Sequence, residues 1–357
     1  MRARLTTLLV LVATLTLFAY QQGIIGKPAS SPALVLSANA AFRVAGTPAL
    51  GKAGTLDLGV TTDPLARNWW KPWQASDLRT VDTFEDQAGK HAAIVMWYAD
   101  WQHNRLPRTS QLNAIEQRGS TPEITWEPWD ASKGLYKSQP RYRLSNIIDG
   151  KFDSYIWGWA RSLAAWKHPV LLRFAQEMDG NWFPWDDYAD GNHPGQFAQA
   201  WIHVHDIFQR AGANNVKWLW SPAFARSTVQ FPGTAYVDVL GTTCQNGGRP
   251  LFARGWKSFA QGCGQAIDRL HALEPSLPIQ LAETGTAEQG GSKAQWIRDM
   301  WSYLAARPYV TSMIWFDLRD ADSSSSSFES QYGLMRDDYS PKAAFGAYRA
   351  LVASLSN

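Results

Sequence analysis

Cysteine is scarce: the 357 residues hold two, Cys244 and Cys263. They make no Cys-x-x-Cys spacing, and the seven histidines make no His-Glu-x-x-His run. His203 and His205 stand two apart in a helical stretch and so point to different faces. No metal is expected from these patterns, and no cofactor is called for. An excess of one charge is also missing. Lys and Arg total 34 against 31 Asp and Glu, a net +3, and no basic run occurs, which argues against a nucleic-acid partner. A glycine-rich phosphate loop is absent after the first apolar run, where Leu58-Gly59-Val60-Thr61-Thr62-Asp63-Pro64 stands instead; that disfavours an open doubly wound nucleotide-binding sheet. No repeat of about 20–50 residues is visible. With 18% charged and 45% hydrophobic residues, the composition excludes wholesale disorder and provides for a large core.

What is abundant is tryptophan: 19, with 12 Tyr and 15 Phe. Such a surplus points to surfaces that stack on flat apolar faces such as sugar rings, with a Trp-rich core as the plainer explanation for about half of it. The chain opens with Met1-Arg2-Ala3-Arg4 and then runs uncharged from Leu5 to Tyr20. This reads as a signal peptide or a signal anchor, short against the ~20 residues that span a bilayer. Ala38-Asn39-Ala40 resembles a cleavage site but lies far from the apolar run, so cleavage and membrane anchoring through residues 5–20 both stay open. Either way the body is expected to be exported, periplasmic or extracellular. Residues 21–54, rich in Ala, Ser, Gly and Pro, read as a flexible linker, leaving 55–357 as one domain. In an oxidising compartment Cys244 and Cys263, 263 − 244 = 19 positions apart, could pair as a disulfide worth ~3 kcal/mol; two unpaired core residues is the alternative.

Beyond residue 54, short apolar runs alternate with amphipathic stretches. Strands are predicted over Thr55–Thr61, His91–Trp97, Glu123–Glu127, Pro169–Phe174, Val216–Trp220, Val237–Gly241, Pro278–Ala282 and Val310–Phe316. Helices are predicted over Ser76–Ala88, Ser110–Arg118, Phe152–Trp166, Pro194–Ala211, Ser258–Leu273, Lys293–Ala306 and Pro341–Leu355. Eight β-α units in about 300 residues predict an α/β protein with a (β/α)8 TIM barrel. The low-complexity Ser323–Ser327 then falls in a loop at the barrel mouth.

Such a barrel carries its chemistry at the C-terminal ends of its strands. Those ends are acidic and aromatic here: Trp97-Tyr98-Ala99-Asp100-Trp101, Trp126-Glu127-Pro128-Trp129, Gln176-Glu177-Met178-Asp179-Gly180-Asn181-Trp182 followed by Trp185, Trp220, Glu283-Thr284-Gly285, and Trp315-Phe316-Asp317. Apolar strands need no terminal carboxylate for stability. Glu177 and Glu283, on strands four and seven, would face each other across the mouth. Glycoside cleavage needs such a pair, one acid to protonate the leaving oxygen and one carboxylate to attack, ~5–5.5 Å apart in retaining enzymes. Glu127 and Asp317 are weaker candidates, as much ion-pair or binding residues as catalysts.

The stretch Pro169-Val-Leu-Leu-Arg173-Phe-Ala-Gln176-Glu177-Met178-Asp179-Gly180-Asn-Trp182-Phe-Pro-Trp185 resembles the acid/base segment of glycoside hydrolase family 26. Asn215–Pro222 resembles that family's fifth strand, Phe231-Pro232-Gly233 with Tyr236-Val237-Asp238 its approach to the sixth, Ile279–Gly285 its nucleophile strand and Val310–Phe316 its eighth. The resemblance covers about residues 55–355. It implies the (β/α)8 fold and a retaining mechanism with Glu177 as acid/base and Glu283 as nucleophile. It also implies Arg173 orienting the nucleophile, Trp182 and Trp185 lining the cleft, and Trp315 stacking under the sugar. Trp101, Trp126 and Trp220 join them as candidate binding residues from their places at strand ends. The implied partner is a β-linked polysaccharide, most readily β-1,4-mannan, cut in the endo mode by a monomer. A β-1,3-1,4-glucanase, an exopolysaccharide-trimming hydrolase or a non-catalytic carbohydrate-binding barrel are the alternatives.

Three positions depart from the family pattern. Gln176 replaces a His, Asp179 an Asn, and Gly241-Thr242-Thr243-Cys244-Gln245 stands where Gly-x-Asp-x-Tyr is usual, removing a Tyr expected near the nucleophile. Gln176 retains a donor for a sugar hydroxyl. Asp179 is expected to raise the pKa of Glu177.

Overall fold

A computed structural model describes residues 56–355 apart from 64, 67–71, 248–254, 289, 319–332 and 335–341. The expected leader, linker and Ser323–Ser327 loop lie outside the described residues. Eight parallel strands close in chain order into one barrel: β1 (Asp57–Thr62), β2 (Ile94–Asp100), β3 (Thr121–Glu127), β4 (Val170–Phe174), β5 (Val216–Trp220), β6 (Val239–Asn246), β7 (Ile279–Thr286) and β8 (Val310–Asp317), with β8 pairing β1. The connecting helices are α1 (Arg79–Ala88), α2 (Thr109–Glu116), α3 (Asp153–Trp166), α4 (Gln196–Arg210), α5 (Gln265–Leu273), α6 (Lys293–Ala305) and α7 (Phe345–Ser354). Only a 3-10 turn, Thr234–Tyr236, separates β5 from β6. Among the described residues no helix is long and apolar enough to cross a membrane.

Strands buried on both faces read as continuous apolar runs, and β2, Ile-Val-Met-Trp-Tyr-Ala-Asp, is buried throughout. Side chains alternate between two cores. One set, including Ile94, Met96, Tyr98, Leu171, Leu219, Ile314 and Phe316, fills the barrel. The other, including Trp97, Trp126, Phe174, Trp218, Trp220 and Trp315, packs outward against the helices. Helix faces match that outer shell: α1 buries Val81, Phe84 and Ala88, and α3 buries Ile156, Trp159 and Leu163 at 3–4 spacing. Gly59 is demanded by the inner packing, because a Cβ there would lie 2.3 Å from Ile314 Cδ1.

Two strands run further than the sequence pattern indicates. β6 reaches Asn246 and β7 reaches Thr286, through polar residues that do not read as strand. Both contain a register shift, between Thr242 and Thr243 and between Leu281 and Thr284. Bulges of this kind re-aim side chains and favour barrel rims. Here they turn Thr243, Gln245 and Glu283 toward the mouth. Cys244 points the other way and sits buried in hydrogen-bond contact with Cys263. Both are free thiols in this structure rather than the expected disulfide.

Candidate active site

Arg173 on β4 is the centre of the mouth. It is fully buried, and its Nη1 donates to Glu283 Oε1 at 2.5 Å. The other Glu283 oxygen accepts from Gln245 Nε2 at 3.1 Å, and the Tyr98 hydroxyl on β2 also hydrogen-bonds Glu283. An ion pair taken out of water is stable only when its remaining hydrogen-bonding sites are filled; these donors do so for Glu283. Arg173 Nη2 lies 3.4 Å from Thr243 Oγ1, which in turn donates to Glu177 Oε1. The chain Glu177–Thr243–Arg173–Glu283 therefore links the two carboxyls across the barrel.

Glu177 is presented by a tightly bent segment just past β4. Ala175 and Glu177 have φ of +46° and +57°, a left-handed conformation uncommon for residues with a Cβ. The bend is pinned by Ala175 N–H to Trp126 O at 3.0 Å and Glu177 N–H to Ser221 O at 2.8 Å. Backbone strain of this kind gathers at functional sites. Trp182 Nε1 donates to Glu177 Oε2 at 2.8 Å. Its indole packs against Gly180, where a Cβ would meet the ring at 2.6 Å.

The two carboxyls sit in opposite electrostatic settings. Burial, and then the charge of Glu283, pushes Glu177 up to about 7 against the pull of Arg173, Thr243 and Trp182. Glu283 instead faces a buried guanidinium whose own pKa its charge helps to raise. Burial also holds Tyr98 well above the ordinary phenol range, which keeps it a neutral donor. Glu127, at the end of β3, is fully buried and pushed up to about 8 by that burial, despite bonds from Gln176 Nε2 at 2.5 Å and Trp129 Nε1 at 3.2 Å. Below lies a polar floor. Ser312 donates to Gln280 at 2.9 Å, and Gln280 donates at 2.6 Å to Glu123, which burial raises to about 7. Asp317 is likewise raised to about 7 by burial and accepts the Leu334 N–H.

Several residues expected in the cleft are elsewhere. Trp126, Trp220 and Trp315 project from the outer side of their strands. Trp126 packs on Trp101 with ring centres 4.9 Å apart, Trp220 donates to Gln230 O at 3.2 Å, and Trp315 meets Tyr348 of α7 at 5.3 Å. All three are buried to within 1%. Their neighbours Glu127 and Phe316 take the inner positions, because strand parity allows only one of two adjacent residues to face the mouth. Trp101 is enclosed by Phe152, Tyr155 and Phe174. Trp185 stacks on Phe183 at 4.3 Å and donates to Gln176 O at 2.7 Å. Of the six tryptophans, Trp182 is the one in contact with a candidate catalytic carboxyl. Gln176 spends its amide donor on Glu127 rather than offering it to a ligand. The Asp179 carboxylate accepts the N–H groups of Ala223 at 2.7 Å and Phe224 at 3.0 Å, and so braces the loop after β5. Tyr98, Thr243 and Gln245 complete the site and were not among the expected binding residues. Strand alternation within Trp97-Tyr98 could have identified Tyr98, whereas Thr243 and Gln245 depend on the β6 bulge.

Among the described residues, Asp100, His103 and Asp130 could hold a metal ion, with ligand atoms within 4.8 Å of one another. Asp100 Oδ2 already accepts from His103 Nδ1 at 2.6 Å and Ala131 N at 3.0 Å, so the group serves as a brace between the β2 and β3 loops.

The family model for glycosyl hydrolase family 26 matches residues 119–247, from β3 through β6. Endoglucanase H of Acetivibrio thermocellus is 29% identical over 257 residues, covering 69% of this chain and 27% of that protein. Mannan endo-1,4-beta-mannosidase B of a Piromyces species is 26% identical over 178 residues, half of this chain and 24% of that one. The chain thus spans about a quarter of these curated relatives. Among solved structures, an endo-beta-1,4-mannanase double mutant of Cellulomonas fimi superposes with a TM-score of 0.61 at 17% identity, over 85% of this chain and 71% of that one. A family 26 beta-mannanase of Bacteroides ovatus gives 0.59 at 16% identity, over 85% and 89%. At such identity the structural likeness speaks for the barrel alone, while the sequence matches place the acid-bearing β4 segment within the family pattern. From β3 through β6 the chain is thus similar to glycosyl hydrolase family 26.

Proposed function

We propose that this protein is a retaining endo-β-glycanase acting on a β-linked polysaccharide, with β-1,4-mannan as the substrate to test first. The observation that carries the reading is the unequal treatment of two linked carboxyls. Glu177 is held near a pKa of about 7 and can arrive protonated. Glu283 is held in place by hydrogen bonds from Arg173, Gln245 and Tyr98 and is positioned to attack. Glu283 adds to the anomeric carbon while Glu177 gives its proton to the departing oxygen, forming a glycosyl-enzyme. Glu177 then takes a proton from water, which releases the sugar with retained configuration. A non-catalytic sugar-binding barrel has no use for this asymmetry. A β-glucan is the second substrate to consider, favoured by the likeness to an endoglucanase.

Export is part of the same reading and rests on Met1–Tyr20. An oxidising compartment would also let the neighbouring thiols of Cys244 and Cys263 pair. The deciding experiment sizes products and new reducing ends from a panel of β-glycans. Glu177→Gln and Glu283→Ala should each lose orders of magnitude in rate. Near wild-type hydrolysis by either variant, or inverted product configuration, would overturn the assignment.

A further inference from the structure

The loop after β3 leaves an aromatic residue in an unusual state. Tyr136 is 69% exposed, and Leu135 beside it is 39% exposed. Its φ is +60°, in the left-handed region that residues with a Cβ rarely adopt. A glycine or asparagine would sit there more comfortably, so nothing in the local fold asks for a tyrosine ring. The segment is held at two points against the loop that carries the acid. Tyr136 N–H donates to Trp182 O at 2.9 Å. Two residues on, Ser138 Oγ and Gln139 N–H both donate to the Asp190 carboxylate, the latter at 2.7 Å. Trp182, to whose backbone Tyr136 is fastened, donates through its own indole to Glu177.

We propose that Tyr136 is a stacking platform for a sugar ring on the leaving-group side of the cleaved bond, an inference that rests on the glycanase reading above. The side follows from chemistry. The acid must stand at the oxygen shared with the departing sugar, so the wall beyond Glu177, on the side away from Glu283, flanks that part of the chain. Trp182 meets Glu177 through Oε2, the oxygen other than the one that Thr243 links toward Arg173 and Glu283, and Tyr136 is fastened to Trp182; an exposed aromatic mounted there offers a flat apolar face at little further entropic cost.

The test compares β-1,4-mannan with 2,4-dinitrophenyl β-mannobioside, whose leaving group is good enough to need no sugar beyond the cleaved bond. For Tyr136→Ala, the ratio of kcat/KM on mannan to kcat/KM on the aryl glycoside should fall about fivefold or more, mainly through KM on mannan. Tyr136→Trp should restore the ratio. An unchanged ratio in Tyr136→Ala overturns the proposal. So does an equal loss on both substrates, which would mean that the residue acts through the fold or through Glu177. A wild-type protein inert on both substrates would instead refute the mannanase reading, and this subsite with it.

Discussion

Thr243 donates to Glu177 Oε1, and this bond holds the acid's pKa down against burial and against Glu283. Thr243→Val removes the hydroxyl and keeps the shape. A hydrogen bond to a charged group is worth ~1.5–3 kcal/mol. Thr243 is half-buried, so solvent trims that toward ~1.4 kcal/mol, which is about one pKa unit. The sign is fixed: the lost donor served the ionised form of Glu177, so its pKa must rise from about 7. Glycosidic cleavage needs Glu177 protonated, and the basic limb of kcat/KM against pH reports that proton in the free enzyme. The wild-type limb should therefore fall near neutrality, and the Thr243→Val limb about one unit higher. The variant should then outperform the wild type in relative activity on the alkaline side. Reducing-end assays across the neutral range measure both limbs. A limb that stays put, or moves to lower pH, would show that Thr243 does not tune the acid.

Other outcomes follow from the same contacts. Arg173→Met takes the cation from Glu283 and should cost about a hundredfold or more in kcat, with partial recovery in Arg173→Lys; near wild-type turnover would remove Arg173 from the mechanism. Trp315→Ala should lower stability by ~3–5 kcal/mol in thermal melts while KM of the folded enzyme changes little, because the indole packs on Tyr348 rather than on substrate; a raised KM at unaltered Tm would reverse that placement. Glu123 has a folded pKa near 7 against 4.5 unperturbed. Between those values the native state holds more protons than the unfolded chain, so stability falls as pH rises through the window. Glu123→Gln should remove its share of this loss, at most ~3 kcal/mol, and make the slope shallower while Glu127, Glu177 and Asp317 keep theirs; a melting profile with the same pH slope as wild type would rule Glu123 out as a contributor.

The barrel was legible because its strands are apolar on both faces and its helices carry 3–4 spacing, two periodicities that local sequence states directly. Glu177 and Glu283 were legible through strand ends and motif. The tryptophans misled because abundance says nothing of parity. Trp126 and Glu127 are adjacent, and the strand gives the mouth to only one of them. Thr243 and Gln245 lie in a polar run whose membership in β6 depends on a bulge, set by pairing with β7 rather than by anything local. Asp179 looked like a neighbour of Glu177, yet three backbone donors of the next loop claim it, which no spacing could reveal.

The belt of indoles between sheet and helices also governs what light would report. Trp126, Trp159, Trp201, Trp218, Trp220, Trp296 and Trp315 are sealed from solvent, so the emission of these seven should be blue-shifted and indifferent to a sugar in the mouth. Trp182, half-buried and bonded to the acid, is placed to respond. A small quench on a large steady background is therefore the signal that a titration must be designed to resolve, and replacing Trp182 with Phe would erase it.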